Sequence, residues 1–208
     1  GLTIESVPMH GTWLQRAWII TAVGVLDPGA VQAQVDVVFI PSSTADEYDA
    51  SVYRAIWEEY GERVVNALET RTCMLFTEFS VSAIVADATS NSGGPEHPMR
   101  LRRGYLRKEK QSTLVHELGH RHLWQLEERL EGIDGHMTLY LFLDRVWEDV
   151  WGKKFAEDRV RGESGWHSRY AAAWTWAHSL GPIEHARLWN QLLVMNGFPN
   201  GCENSHDG

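Results

Sequence analysis

The sequence is poor in cysteine, in long apolar runs and in positive charge, and each shortage excludes a class of protein. Two cysteines among 208 residues cannot build the disulfide framework of a small secreted domain. No run approaches the roughly 18 apolar residues that indicate a membrane-spanning helix. A net charge of −9 argues against a general nucleic-acid binder, because such proteins present basic surfaces to phosphates.

The start of the chain shows no pattern of a secretory signal. Gly1 stands first rather than Met, which is typical of a processed chain or a fragment. The lack of a signal pattern and the scarcity of cysteine predict a cytoplasmic location, and the lack of a long apolar run predicts no membrane partner. The sequence gives no indication of an oligomeric state.

Residues 116–120 read His-Glu-Leu-Gly-His and carry the clearest chemical information. On a helix, His116 and His120 lie one turn apart on the same face, where two imidazoles can hold one divalent ion, usually zinc. Glu117 beside them can take a proton from an activated water. His122 points off this face and is not predicted to be a ligand. A helix is predicted because apolar residues recur at helical spacing: Leu114, Val115, Leu118, Leu123, Leu126 and Leu130.

The remaining pattern predicts one α+β domain over residues 1–208, with the motif at the junction of two halves. Residues 1–110 are expected to be strand-rich, with a small mixed sheet, and residues 111–198 helical, before a flexible tail at 199–208. Strands are predicted at 17–25, 35–40, 72–88 (one strand or two) and 99–106, with a mobile loop at 89–98. Helices are predicted at 45–69, 110–131, 137–151, 155–163, 169–179 and 182–195.

A catalytic zinc ion usually takes three protein ligands and leaves a fourth position for water. The extended motif that adds a glycine and a histidine after the second histidine is absent, because Leu123 and Leu126 stand at those positions. His136, which follows a glycine-rich break, is favoured as the third ligand. Asp144 is a candidate to orient a ligating histidine through a hydrogen bond. Three carboxylates remain as alternative third ligands: Asp149, Glu148 and Glu157.

The motif at 116–120 resembles that of the zincin metallopeptidases. The pair Gly135-His136 is similar to the SprT/Spartan-like branch, in which the third histidine follows such a glycine and opens a helix. The resemblance covers about residues 99–151 and implies a zincin-like fold, one zinc ion held by the two motif histidines and His136, and the motif glutamate as general base. The sequence departs from that branch at Met137, where glycine is usual, and no cysteine-rich zinc ribbon follows.

The resemblance implies a zinc metalloendopeptidase that acts on protein or peptide substrates. Zincins hold the substrate against an edge strand beside the motif helix, and residues 99–106 are the candidate edge, with Arg102 and Gly104 as substrate-binding residues. Its basic side chains would favour acidic substrates. Two alternatives stay open: a non-catalytic zinc-stabilised binding module, and a nucleic-acid-associated SprT-like protease that uses the basic residues between 100 and 110. The group that stabilises the oxyanion is expected among Tyr105, Tyr140, His167 and Tyr170.

Overall fold

A computed structural model of the protein describes residues 35–198, which form an α+β architecture. The strand predicted at 17–25 and the tail predicted at 199–208 lie outside the described residues. Within residues 35–198, none of the helices combines the length and the apolar character that crossing a bilayer requires.

The sheet contains three parallel strands in the order β1-β2-β3. They are β1 (Asp36–Pro41), β2 (Ser80–Ala86) and β3 (Met99–Arg102). The mixed sheet that the sequence predicts is therefore not found among the described strands. Parallel pairing requires a connection of about a dozen residues or more. One long helix makes that connection between β1 and β2, and residues 87–98 make it between β2 and β3.

In the described part of the first half, more residues are helical than extended, because it contains the long helix that the sequence predicts at 45–69. Its one long helix has 26 residues, more than the three strands of six, seven and four residues together. The helices are α1 (Glu47–Thr72), α2 (Arg107–His122), α3 (Gly135–Tyr140), α4 (Leu143–Trp151), α5 (Lys153–Ser164), α6 (Ser168–Ser179) and α7 (Pro182–Met195), with short 3-10 turns at Thr44–Asp46 and Leu123–Gln125.

Three predicted elements are shorter than the sequence pattern indicated. The strand predicted at 72–88 is reduced to β2, because α1 continues to Thr72. The strand predicted at 99–106 ends at Arg102, and Gly104 follows in a turn with φ +75°. The helix predicted at 110–131 starts three residues earlier and ends at His122, where the chain tightens into a 3-10 turn before Leu126 becomes extended.

The helix predicted at 137–151 is broken in two, which decides the layout of the site. Leu141 and Phe142 separate α3 from α4, although neither glycine nor proline marks the position. The carbonyl oxygen of Leu141, released from the helical ladder, accepts a hydrogen bond from His185 of α7. His136 of α3 lies with the motif histidines, whereas Asp149 of α4 lies against Arg71 of α1.

Helix α2 lies in the interior, in contact with α1, α3, α4 and β3. Leu114, Val115 and Leu118 are each at most 1% exposed and form part of one continuous hydrophobic core that includes both faces of the α1–α2 contact and the inner face of the sheet. Burial of each such side chain contributes roughly 1.5–3 kcal/mol to stability. The motif is therefore mounted on a helix that the core holds rigidly.

Cys73 ends α1 in the left-handed conformation, with φ 58°, which is uncommon for a residue other than glycine.

Candidate metal centre

Three histidines from two helices converge at one end of α2. The ligand nitrogens of His116, His120 and His136 all lie within 4.8 Å of one another, and the ring centroids are 4.8–5.5 Å apart. A tetrahedral zinc ion with Zn–N bonds of about 2.0–2.1 Å sets its ligands about 3.4 Å apart, so small ring rotations would bring the three to one ion. Within residues 35–198, no other group of three His, Cys, Asp or Glu side chains converges in this way.

The close packing of α3 on α2 brings His136 to the two motif histidines. A Cβ atom on Gly119 would lie 2.6 Å from Leu139 Cδ1, so the absence of a side chain allows the two helices to approach. Asp134 caps the start of α3, where its Oδ1 accepts hydrogen bonds of 2.9 Å from the backbone N–H groups of His136 and Met137. The cap fixes the first turn of α3 and with it the position of the third histidine.

A fully buried carboxylate orients the first histidine. Glu163 of α5 is 0% exposed, and its Oε1 lies 3.0 Å from Nδ1 of His116. The other carboxylate oxygen accepts a hydrogen bond of 3.3 Å from Nε1 of Trp174. Because Nδ1 is committed to Glu163, Nε2 of His116 is the nitrogen that remains for a metal, as in the carboxylate–histidine–metal arrangement.

The surroundings keep two of the three rings neutral, the form that binds metals. Burial, followed by the charges of His116 and His136, places the pKa of His120 well below its usual value. Burial also lowers the pKa of His136 to about 4. Burial would lower the pKa of His116 as well, but the charge of Glu163 and its hydrogen bond outweigh this and raise it.

Glu117 lies beside the histidines in an environment that weakens its acidity. Glu117 is only 7% exposed. Burial, followed by repulsion from Glu163, raises the pKa of its carboxyl group to about 7, although the charge of His116 acts in the opposite direction. A carboxylate with a pKa near neutrality can both accept and release a proton at physiological pH. This is the property required of a general base that later acts as an acid.

An open cleft of about 730 Å³ gives access to His116, Glu117 and His136. One wall comes from the loop after β2, the carboxyl end of β3 and the middle of α2, and the other from the link between α5 and α6 and the start of α6. Ligands of open α/β sheets bind outside the carboxyl ends of the strands. Tyr105 and Trp166 of the two walls stack with centroids 6.1 Å apart and ring planes 13° from parallel.

The carboxylates predicted as alternative third ligands, two on α4 and one on α5, do not converge with the three histidines. Asp149 forms two 2.6 Å hydrogen bonds with Arg71 of α1. Glu148 and Glu157 line a separate surface pocket. Asp144, predicted to orient a ligand, instead lies 3.1 Å from Nε2 of His178, which is not one of the clustered histidines.

The predicted edge strand does not present free main-chain groups to a substrate. Arg100 exchanges backbone hydrogen bonds of 2.8 and 3.0 Å with Asn91, and the Arg102 N–H donates to Oγ of Ser90. The Gly104 N–H donates to Asp49 Oδ1. The chain's own 89–91 segment thus occupies the outer edge of β3, where a substrate strand would have to pair. Of the two residues predicted to bind substrate, Arg102 lines the cleft and Gly104 does not.

The four candidates for the oxyanion stabiliser have different surroundings. Tyr140 stacks on Trp174 at 3.8 Å, with its hydroxyl buried and without a hydrogen-bond partner among residues 35–198, and it does not line the cleft. His167 caps α6 by accepting from a backbone N–H, and Tyr105 belongs to the stacked pair. Tyr170 lines the cleft with its ring 4.6 Å from that of His136.

Tyr170 is also held in its protonated form. Burial, followed by the charges of Glu117 and Glu163, raises its pKa. A tyrosine that stays protonated at neutral pH can donate a hydrogen bond to a developing negative charge. Among the four candidates, Tyr170 best combines access to the cleft with proximity to the histidines.

Sequence reasoning missed two residues of the site. Asp134 carried a usable signal, because an aspartate directly before a predicted helix is a typical N-cap. The sequence around Glu163 has no comparable signal, because a single glutamate at the end of a charged helix is ordinarily exposed to solvent. Its role depends on α5 and α6 folding back over α2.

No protein-family model, no curated protein and no solved structure matches this chain. The inference of function therefore starts from the side chains of the cleft and from the motif.

Proposed function

We propose that the protein is a zinc-dependent peptidase of the zincin type, which hydrolyses peptide bonds of protein or peptide substrates in this cleft. The observation that carries the proposal is the convergence of three imidazoles within 4.8 Å beside Glu117. A structural zinc site closes all four positions with protein ligands, whereas a catalytic site uses three and leaves one open. Three ligands beside an open cleft of about 730 Å³ support the catalytic alternative over the binding module.

The donor set fits zinc. Three neutral imidazole nitrogens are ligands of catalytic zinc sites, and the hydrogen bond from His116 to Glu163 is the kind of contact that increases the affinity of such a ligand. When bound, zinc lowers the pKa of a water molecule toward neutrality and polarises a carbonyl group.

The side chains of the cleft supply the remaining chemistry. Glu117 accepts a proton from the water whose oxygen attacks the scissile carbonyl carbon. It then passes that proton to the amine nitrogen as the C–N bond breaks. Tyr170 donates a hydrogen bond to the carbonyl oxygen while that atom gains negative charge.

The substitution Glu117→Gln tests the role of the base. We expect it to retain one zinc ion per chain, measured by elemental analysis, and to lose peptidase activity by roughly 10²–10⁴-fold, because the ligands survive and the proton acceptor does not. Glu127→Gln is the matched control, since this glutamate is exposed and does not line the cleft. Equal cleavage by the Glu117 variant and the wild type would disprove the mechanism.

Chelation separates the enzyme from a zinc-stabilised module. A chelator should abolish cleavage while the circular dichroism spectrum and the thermal transition show a folded chain, because α2 is held by the hydrophobic core and not by the metal alone. Unfolding on chelation, without any cleavage by the loaded protein, would favour the module.

A further inference from the structure

We propose that the wall of the cleft containing Arg102 and Thr113 is a carboxylate-binding subsite, so that preferred substrates carry an acidic group close to the scissile bond. The inference deepens the proposed function and rests on it. The positive charge of the subsite comes from Arg102, one of the basic residues that cluster just before the motif helix.

Three of those basic residues are already paired within the protein. Arg103 contacts Asp46 at 3.1 Å and Asp87 at 3.0 Å, Arg107 contacts Glu59 at 2.6 Å, and Lys110 contacts Asp49 at 2.5 Å. These pairs hold the turn before α2 against α1 and neutralise its charge. They leave little of a continuous basic surface for a nucleic acid.

Arg102 differs from these residues in both position and partners. Its guanidinium lies over the ring of Tyr105, 5.6 Å from the centroid, and the side chain lines the cleft. Among residues 35–198 it forms no ion pair. The other cation of the cleft, Arg169, donates two hydrogen bonds to Asp134, which balances its charge. The uncompensated positive charge of the cleft is therefore that of Arg102.

Thr113 offers a second, independent indication of a ligand. The residue is 3% exposed and lines the cleft, yet within the described residues its hydroxyl has no hydrogen-bond partner. Thr113 lies one helical turn before Glu117, on the same face of α2. A buried hydroxyl without a partner is destabilising, and a ligand oxygen in the cleft would relieve that cost.

The wall is held in place before any ligand arrives. Nζ of the buried Lys110 donates a 2.6 Å hydrogen bond to the carbonyl oxygen of Tyr105, and the Tyr105 ring stacks on Trp166. A fixed aromatic surface beneath the guanidinium leaves its N–H groups facing outward. The planar fork of arginine matches a carboxylate, and the hydroxyl of Thr113 can donate one further hydrogen bond.

A carboxylate in this subsite has two sources: an acidic side chain or the free C-terminus of a peptide. Binding to the zinc-loaded Glu117→Gln protein distinguishes them without turnover. The probes are three acetylated heptapeptide pools: a central Glu with an amidated end, a central Gln with an amidated end, and a central Gln with a free C-terminus. Tryptophan fluorescence, which Trp166 in the cleft makes sensitive to occupancy, measures binding.

We expect the Glu pool to bind about tenfold more tightly than the amidated Gln pool. Adding Arg102→Gln should remove this preference, Arg102→Lys should retain part of it, and Thr113→Val should reduce it. Arg100→Gln is the matched control, because Arg100 lies on the same strand and the same face but does not line the cleft. It should leave the preference unchanged. Tighter binding only by the pool with a free C-terminus also supports the subsite and shows that the carboxylate it binds is that of the peptide's C-terminus.

Equal binding of all three pools, or no binding of any of them, overturns the subsite. Failure of the proposed function looks different. A wild-type enzyme that cleaves peptides without discriminating Glu from Gln leaves the peptidase intact and removes the subsite. A protein that binds the Glu pool through Arg102 but never cleaves any peptide keeps the subsite and removes the peptidase.

Discussion

Helix α2 carries a buried histidine on each of two faces, and the two have different partners. His116, on the cleft face, lies against the carboxylate of Glu163. His122, on the interior face, is 1% exposed, lies 2.7 Å from Oγ1 of Thr72 and stacks on Phe76. Burial places the pKa of His122 at about 4, whereas Glu163 raises that of His116. Burial alone thus does not set the pKa of a histidine on this helix, because the charge of Glu163 outweighs the effect of burial at His116.

The largest expected effect is on zinc affinity, which should fall in a variant of the cleft face and not in a variant of the interior face. We expect His120→Gln to weaken zinc binding by on the order of 100- to 1,000-fold, because one of three ligands is lost. His122→Gln should bind zinc as the wild type does. It should instead lower the free energy of unfolding of the zinc-free protein by about 1–3 kcal/mol, because the contacts with Thr72 and Phe76 are lost.

Competition titration with a chromophoric chelator measures the first effect, and urea unfolding monitored by circular dichroism measures the second. The opposite pattern, with zinc lost from the His122 variant and retained by the His120 variant, would show that the assignment of the two faces is wrong.

A smaller effect tests whether the carboxylate partner is what makes the cleft face a metal site. Glu163→Gln should lower zinc affinity about 10- to 100-fold, as expected when the partner of a ligating histidine loses its charge. Glu157→Gln on the same helix is the control, since Glu157 is exposed and lies in another pocket. A loss of zinc from the Glu157 variant, with the Glu163 variant unaffected, would restore the alternative ligand that the sequence left open.

The smallest effect concerns the interior face alone and depends on pH. Since the folded-state pKa of His122 is lowered from 6.5 to about 4, the unfolded chain binds more protons between these values, and stability falls as the pH drops below about 6.5. We expect this group to cost about 2 kcal/mol between pH 7.5 and pH 5. The loss should appear in the zinc-free wild type and be missing from His122→Gln, as measured by urea unfolding at both pH values. Identical pH dependence of the two proteins would contradict it.

Helix boundaries could be predicted where the chain itself marks them. Gly181 precedes α7 and Pro182 is its first residue, and the predicted range agrees with the observed one. The break at Leu141 and Phe142 could not be predicted, because neither residue is a helix breaker and both belong to a continuous apolar run. What stabilises the break is the contact of His185 with the Leu141 carbonyl oxygen, which joins residues far apart in the sequence.

The sequence alone determined the half of the site that depends on spacing. A helix of 3.6 residues per turn places His116 and His120 on one face with Glu117 beside them, whatever the rest of the chain does. The tertiary structure decided the other half, which consists of His136 beside the two motif histidines, Glu163 against His116 and, among the described residues of the cleft, Arg102 as the cation without an ion pair. These depend on how α3, α5 and β3 pack around α2, and such packing follows from long-range contacts that no local pattern encodes.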